Sequence, residues 1–297
     1  MGGSLCGGCT WSGDCAMNII VTGAAGFVGR HLVSALLSRG HRVTAVDRDE
    51  NRIKAMPWFD KCRFVSCDIH QIEPSPRKIL GEADAVAHLA WPGLPNYKAL
   101  FHYEVNLPAD YRFLKSIVGD GYAQILVTGT CLEYGMRWGS LNETMVTRPE
   151  IPYALAKDTL RKCLQMLQAT MPFRLQWARL FYLHGEGQNP SSLLPQLDRA
   201  IEQGDSVFDM SGGEQLRDYL PVRTAADFLV CIIERREFNG VVNVCSGHPR
   251  SVRSLVEDHL SRRGKNMRLN LGHYPYTDYE PMAFWGDTTL LRHLTDR

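Results

Sequence analysis

The stretch MNIIVTGAAGFVGRHLVSALLSRGHRVTAVDRDE, residues 17–50, joins a short apolar run to a helical repeat through a glycine turn. Ile19, Ile20 and Val21 form the run, apolar residues then recur at helical spacing, and Gly40 predicts the end of that helix. A second apolar run, HRVTAVDR, follows at once. A strand, a helix and another strand in this order predict a unit of parallel sheet.

The same alternation continues along most of the chain. Further strands are predicted at CRFVSCD, ADAVAHLA, YAQILVTGT and FRLQWARLFY, with helical segments between them. We therefore predict an α/β fold, with a doubly wound parallel sheet at 17–180 and a smaller C-terminal α/β lobe at 181–297. A strand near 241–246 is expected to return to the large sheet. Residues 1–16 are expected to be a disordered extension.

Composition narrows the range of partners. A formal net charge of +1 gives no electrostatic reason to expect a nucleic-acid partner or an anionic membrane. No apolar run approaches the roughly 18 residues of a membrane helix, and 1–16 lacks the features of a signal peptide. The nine scattered cysteines are typical of reduced thiols and predict a cytoplasmic protein. Cys6 and Cys9 form a lone CxxC with no second ligand pair, so no metal site is predicted.

Three glycines mark the turn between the first strand and its helix. Gly23, Gly26 and Gly29 form GxxGxxG, and Asp47 ends the second strand. Such a turn keeps side chains away from a pyrophosphate at the helix N-terminus, while the carboxylate can hold ribose hydroxyls. The context predicts a Rossmann-type dinucleotide site.

The residues beside this site leave the choice between NAD and NADP open. Asp47 favours NAD because its carboxylate would repel the 2′-phosphate of NADP, whereas the Arg48 guanidinium could pair with that phosphate. Asp68, which ends the third strand, either binds the adenine amino group or is an ordinary strand-end aspartate.

Two tyrosines are followed four residues later by a lysine. YRFLK at 111–115 and YALAK at 153–157 both place the two side chains on one helix face. There an ammonium can stabilise a phenolate and make the tyrosine a usable acid or base. The spacing alone does not separate the two pairs.

A longer series of motifs does separate them, because it resembles the extended short-chain dehydrogenases/reductases that act on nucleotide sugars as epimerases, dehydratases or reductases. The motifs occur in the family's order: TGAAGFVGRHL, HLA at 88–90, Asn106, TGTCLEYG at 128–135, PYALAK at 152–157, RLFYLHGEGQ at 179–188, RDYLPV at 217–222 and NVCSG at 243–247. The resemblance spans essentially 17–290.

This resemblance implies hydride transfer between a sugar carbon and the nicotinamide of NAD or NADP. The family's catalytic pair opens the helix after the fifth strand, where Tyr153 and Lys157 lie; Tyr111 is then an ordinary helical residue. By resemblance, Tyr153 passes the proton, and Lys157 lowers its pKa and holds the nicotinamide ribose. Thr130 either hydrogen-bonds the same sugar oxygen or only satisfies a turn.

The cofactor site implied in this way includes Asn106, which positions the site through the backbone. The predicted cofactor-binding residues are Gly23, Gly26, Phe27, Val28, Gly29, Asp47, Arg48, Asp68, Ile69, Leu89, Ala90, Asn106, Tyr153, Lys157 and Phe181.

The residues after Thr130 indicate which of the family's reactions this chain is not expected to catalyse. Similar 4,6-dehydratases place acids directly after this threonine, and here those positions are Cys131 and Leu132. A dehydratase is therefore not expected. Glu133 lies one position further on and is given no catalytic role. Cys131 and His184 could assist proton transfer in a ketosugar epimerase, although a buried cysteine and a loop histidine are the commoner interpretations.

The C-terminal lobe is expected to bind a nucleoside-diphosphate sugar, mainly through residues that resemble the family's nucleotide pocket. The predicted substrate-binding residues are Cys131, Leu132, Gln188, Asn189, Leu193, Phe208 and Arg217, the last matching an arginine that holds the diphosphate. One departure from the family follows RDYL: its usual paired aspartates are replaced by 221–224, PVRT, which leaves the start of the local helix open.

The first functional hypothesis is an NAD(P)H-dependent reductase of a nucleoside-diphosphate 4-keto-6-deoxy sugar. An NAD-dependent nucleotide-sugar 4-epimerase, which uses the same residues, is the alternative. A non-catalytic dinucleotide sensor is a third, although both Tyr153 and Lys157 are present. By resemblance, a homodimer is expected through the helix of the Tyr/Lys pair and the helix after the fourth strand.

Overall fold

The computed structural model describes residues 16–72 and 75–296, so residues 1–15 of the predicted extension lie outside the described part. Its strands, in chain order, are β1 Asn18–Thr22, β2 Arg42–Asp47, β3 Arg63–Ser66, β4 Ala85–His88, β5 Gln124–Thr130, β6 Gly139–Leu141, β7 Arg174–Leu180, β8 Tyr182–His184, β9 Val207–Asp209, β10 Leu216–Pro221, β11 Gly240–Val244, β12 Pro249–Ser251, β13 Arg268–Asn270 and β14 Phe284–Gly286. Its α-helices are α1 Phe27–Ser38, α2 Glu50–Lys54, α3 Pro76–Leu80, α4 Leu107–Gly119, α5 Pro152–Leu167, α6 Leu193–Gln203, α7 Val222–Glu234, α8 Val252–Arg262 and α9 Thr289–Thr295.

A seven-stranded parallel sheet forms the centre of the molecule, in the order β11-β7-β5-β4-β1-β2-β3. Its middle strands are apolar and buried on both faces, as a sheet covered by helices requires. The predicted doubly wound Rossmann-type sheet is confirmed, including the return of a strand at 240–244.

Helices cover both faces of this sheet. On one face α1 packs against α7, and α7 against α9, over a core that includes Leu32, Leu229 and Leu291. On the other face α4 packs against α5 around Phe113 and Leu164. The chain thus returns to the large sheet after residue 181, because α7, β11 and α9 all pack there. The boundary at 180 stays a prediction.

The sixth predicted strand is divided in two by Phe181. The sequence FRLQWARLFY reads as one strand, but β7 ends at Leu180 and β8 begins at Tyr182 in a separate sheet, β12-β10-β8. Phe181 N donates to Val244 O, so the chain leaves the large sheet where β11 also ends. Because the run of apolar and aromatic residues is continuous, the sequence does not indicate where the chain passes from one sheet to the other.

Smaller elements complete the C-terminal part. The strand β6 pairs with β14, and β9 pairs with β13. The helix α7 starts at Val222, directly after β10, which resolves the local start that the sequence left open. None of the helices in 16–72 and 75–296 has both the length and the apolar character needed to span a bilayer.

Candidate active site

The predicted glycine turn links β1 to α1 at the carboxyl edge of the sheet. Gly23 has a φ of 69° and accepts a hydrogen bond from Gly26 N at 2.9 Å. A Cβ on Gly29 would lie 2.1 Å from Gly23 O, so the strand end and the helix start are in direct contact. The amides of Phe27 and Val28 lie in the first turn of α1, where no helical carbonyl can accept from them. This turn fits a dinucleotide pyrophosphate.

Asp47 lies beside that turn, as predicted. Its Oδ2 accepts from Ala25 N at 3.0 Å and its Oδ1 from Asp49 N at 3.2 Å, so the half-buried carboxylate is fixed at the end of β2. Arg48 is exposed on the next position. The two charged groups that favour different cofactors therefore both lie at this edge.

Other predicted cofactor residues lie at the neighbouring strand ends. Leu89 and Ala90 follow β4, and a Cβ on Gly23 would lie 2.8 Å from Ala90 N. Asn106 is buried and its amide donates to Pro92 O at 3.0 Å. Phe181 is buried after β7.

The end of β3 is less informative about the cofactor. Asp68 accepts from His70 N at 3.0 Å and so caps the short helix Ile69–Gln71, and Ile69 itself is buried. This capping bond is the ordinary strand-end use of the aspartate that the sequence left as an alternative.

The three predicted catalytic residues come together at the carboxyl end of β5. Thr130 ends β5, and its side chain lies close enough to the Tyr153 phenol, in the first turn of α5, to influence the pKa of that phenol. Lys157, one turn further along α5, is 1% exposed and donates to Thr128 O at 2.9 Å. Its Nζ also lies 4.0 Å from the centre of the Trp91 ring.

Burial changes the acidity of both members of the Tyr/Lys pair. Desolvation raises the pKa of Tyr153 well above its ordinary value, and the nearby groups of Tyr97, Glu133 and Cys131 add to the increase. Desolvation lowers the pKa of Lys157 to about 8, against the charges of Asp110 and Glu133. Without the cofactor, Tyr153 is thus a neutral phenol, and the lowering of its pKa by Lys157 stays a prediction.

An aromatic cluster around Tyr153 was not predicted from the sequence. The rings of Trp91, Tyr97 and His102 lie 5.3 to 6.1 Å from the Tyr153 ring, centroid to centroid. Trp91 Nε1 donates to His102 Nδ1 at 3.0 Å, which leaves Nε2 as the donor to Asn96 O. His102 is therefore neutral, and burial lowers its pKa. The aromatic residues between HLA and Asn106 were the available sequence signal.

Glu133 has both of its carboxylate oxygens engaged by neighbouring groups. It is fully buried; its Oε1 accepts from Thr130 N at 2.9 Å and Trp177 Nε1 at 3.0 Å, and its Oε2 from Arg179 Nε at 2.7 Å. With Thr130 it closes a capping box that fixes the turn after β5. The carboxylate thereby holds the backbone that carries Thr130.

Arg217 and Glu280 form a largely buried ion pair near Cys131. The strand β10 carries Arg217, whose Nε and one terminal nitrogen donate to Glu280 Oε2 at 3.3 and 3.0 Å. The neighbouring Asp218 accepts from the amides of Ser246, Gly247 and Gly286, so β10 is firmly anchored. Glu280 was not singled out in the sequence.

The remaining predicted substrate residues differ in their burial and in the contacts that they make. Cys131 is buried and burial raises the pKa of its thiol, while Leu132 is partly buried beside it. Gln188 donates to Leu183 O, and Asn189 accepts from Ser191. Leu193 and Phe208 pack in the core under α6 and α8. His184 lines a separate groove of about 560 Å³ between α6 and α8, which neither Thr130 nor Tyr153 lines.

The other Tyr-x-x-x-Lys sequence, at 111–115, lies on a different face of the molecule. Tyr111 and Lys115 line a groove of about 460 Å³ between α4 and α5, together with Cys163 and Met166. Neither Thr130 nor Tyr153 lines this groove, and that Tyr111 has no catalytic role stays a prediction.

Comparisons with known proteins agree with this architecture. The chain is 29% identical over 274 residues to dTDP-6-deoxy-L-talose 4-dehydrogenase (NAD(+)) of Aggregatibacter actinomycetemcomitans, over 91% of this chain and 99% of that relative. It is 26% identical over 268 residues to UDP-glucose 4-epimerase of Halalkalibacterium halodurans, over 81% and 79%. The solved structure of MoeE5 in complex with UDP-glucuronic acid and NAD superposes with a TM-score of 0.79 at 25% identity, over 94% and 92%.

The sequence profile of the NAD dependent epimerase/dehydratase family matches residues 19–245, which include the glycine turn, Thr130 and the Tyr153–Lys157 pair. The chain therefore belongs to this family of extended short-chain dehydrogenases/reductases that modify nucleotide sugars, and it is an NAD(P)-dependent enzyme.

Proposed function

We propose that the protein is an NAD(H)-dependent reductase acting at C4 of a nucleoside-diphosphate 4-keto-6-deoxy sugar. The observation that carries this proposal is that Thr130, Tyr153 and Lys157 are all present, while Glu133, the first carboxylate after Thr130, is fully engaged with Arg179 and Trp177. Such a site can move a proton to a carbonyl oxygen but has no carboxylate at this place for removing water from the sugar. The relative named as a 6-deoxytalose 4-dehydrogenase supports the same substrate class.

The acid–base chemistry follows from burial. Tyr153 keeps its proton at neutral pH because desolvation raises its pKa, so it suits donation to a sugar carbonyl oxygen. Thr130, whose side chain lies near that phenol, would donate to the same oxygen, and the Lys157 charge would stabilise the negative charge left on Tyr153. The bound cofactor would supply the hydride, held by the glycine turn and Asp47.

The cofactor is proposed to be NAD(H). Asp47 is fixed at the edge where an adenosine ribose would lie, and its charge disfavours a 2′-phosphate. The groups proposed to hold the nucleotide sugar are Cys131, Leu132, Gln188, Asn189, Leu193, Phe208 and Arg217. A homodimer through α4 and α5 is proposed as the working assembly.

Replacing Tyr153 with Phe tests the proposal, and Tyr111→Phe is the matched control. The control makes the same chemical change in the other Tyr-x-x-x-Lys sequence. Loss of the proton donor should lower kcat for a dTDP-4-keto-6-deoxyhexose by roughly 100-fold or more, with NADH affinity within about twofold. Equal activity of Y153F and Y111F would contradict the catalytic role.

A 4-epimerase is the second candidate, since it would use the same three residues and a 26% identical relative is named as one. An epimerase returns the hydride to the same substrate and so retains its cofactor. Protein purified without added cofactor should therefore be denatured and its released nucleotides identified by mass spectrometry. Stoichiometric NAD would favour the epimerase, whereas an empty protein that binds NADH reversibly supports the reductase.

A further inference from the structure

The guanidinium of Arg217 is already occupied in the free protein. Its side chain is 4% exposed, two of its nitrogens donate to Glu280 Oε2, and the third donates to Leu216 O at 3.0 Å. Its central carbon lies 4.8 Å from the centre of the Phe284 ring. Because the Glu280 carboxylate neutralises the guanidinium, the ion pair as a whole has no net charge that would attract an incoming anion.

Glu280 belongs to a segment that is attached on both sides but lies outside any strand. Beyond it, Met282 O accepts from Leu216 N at 2.8 Å and β14 pairs with β6, so this end lies firmly along β10. Before it, 271–278 is exposed and is held by His273 N, which donates to Met210 O at 3.0 Å, and by an exposed salt bridge between Lys98 and Asp278. Glu280 itself takes part in no strand, so a rotation of its side chain away from Arg217 leaves the strand pairing intact.

A second polar group in the same place is poorly satisfied. The hydroxyl of Tyr182 is buried near the Glu280 carboxylate but makes no short hydrogen bond within the described residues, and its ring centre lies 5.8 Å from the Arg217 guanidinium. Burial raises the pKa of this phenol, and the Glu280 carboxylate raises it further, so the hydroxyl is a donor at neutral pH. A buried donor without a good acceptor destabilises the site, and an anionic ligand would supply that acceptor.

We propose that Glu280 occupies the diphosphate position of the nucleotide-sugar site in the free protein, and that substrate binds by displacing it from Arg217. This inference rests on the proposed function, in which Arg217 holds the diphosphate. The incoming diphosphate replaces one carboxylate on Arg217 and gives the Tyr182 hydroxyl an acceptor. Glu280 thus lowers the affinity of the site for any nucleoside diphosphate.

The test compares Glu280→Gln with Asp278→Asn. Both changes remove one negative charge by an isosteric amide, but Asp278 is exposed and contacts Lys98 rather than Arg217. UDP, dTDP and GDP are titrated calorimetrically into each protein saturated with NADH, which keeps these probes out of the dinucleotide site. We expect E280Q to bind the preferred nucleotide about tenfold more tightly than wild type, a change of about 1.4 kcal/mol, and D278N to match wild type.

Arg217→Met tests the proposed diphosphate site separately from the proposed competition by Glu280. Loss of nucleotide binding in R217M, with tighter binding in E280Q, supports both the inference and the proposed site. Unchanged or weaker binding by E280Q, with binding still lost in R217M, overturns the role of Glu280 alone. Undiminished binding by R217M, or no binding of any nucleotide by any variant, overturns the proposed diphosphate site and the inference with it. Thermal unfolding and NADH affinity confirm that each variant is folded.

Discussion

Lys157 is the residue whose charge depends most directly on its burial. At 1% exposure its ammonium has lost most of its hydration and retains Thr128 O and the Trp91 ring as contacts. The charges of Asp110 and Glu133 recover only part of that loss, and its pKa falls to about 8. A lysine at this position therefore titrates within the range in which the enzyme can be assayed.

The pH profile of reduction should show this titration. Below about pH 8 Lys157 is charged and can stabilise the oxygen of Tyr153; above it that charge is lost, so kcat/KM for NADH should fall on the alkaline side. Tyr153 does not titrate there, since burial raises its pKa. In Lys157→Arg, which stays charged, any residual activity should lose this limb. A wild-type rate that is constant to about pH 9.5 would be incompatible with the assignment.

At the level of elements, the glycines of the β1–α1 turn serve two different purposes. Gly29 is needed for the turn to fold, whereas Gly26 leaves space for the proposed ligand. A Cβ on Gly29 would lie 2.1 Å from Gly23 O and 3.0 Å from Ala24 Cα, both backbone atoms that cannot move without opening the turn. At Gly26 a Cβ would meet only Gly23 O, at 3.0 Å, and φ there is −68°. That contact is tight but needs only a shift of a few tenths of an ångström, so a methyl group at Gly26 costs less than one at Gly29 and enters the open side of the turn.

Two alanine variants should therefore behave differently. Gly26→Ala should keep its thermal midpoint within a few degrees but weaken NADH binding by about tenfold or more, because the methyl group enters the space proposed for the pyrophosphate. Gly29→Ala should lower the free energy of unfolding by several kcal/mol through overpacking. Fluorescence titration with NADH and chemical denaturation measure the two effects. Equal NADH affinity in G26A and wild type would argue against this location of the cofactor.

The same elements show what the sequence could predict. The strand–glycine–helix unit, the central strands and the start of α5 follow from local periodicity and turn residues, which act within one or two turns of chain. The change of sheet at Phe181, the burial of Glu133 under Arg179 and the pairing of Arg217 with Glu280 depend on contacts 46 to 63 residues apart. No local pattern distinguishes Glu280 from an ordinary surface carboxylate, so its pairing with Arg217 is visible only in the three-dimensional arrangement.

At the level of the whole molecule, the face formed by α4 and α5 carries apolar surface away from the active site. Met166 is 73% exposed and Leu155 45% exposed on α5, and the groove between the two helices includes Tyr111 and Cys163. Exposed apolar side chains on adjacent helices are typical of a protein–protein interface. A second copy of the chain is the occupant expected from the proposed homodimer.

Met166→Glu should shift that equilibrium toward the monomer. Burying a methionine side chain stabilises an interface by about 1.5–3 kcal/mol, and a carboxylate there must also lose its hydration, so the dimer dissociation constant should rise by roughly 100-fold. Sedimentation velocity over a concentration series measures the change, with Leu271→Glu, an exposed leucine far along the chain from α4 and α5, as the control. A wild-type protein that is monomeric at all concentrations, or an M166E variant with an unchanged dissociation constant, would exclude this face as the interface.

If M166E is monomeric and still reduces substrate at the wild-type rate per subunit, each active site is complete within one chain, as the Thr130, Tyr153 and Lys157 geometry requires.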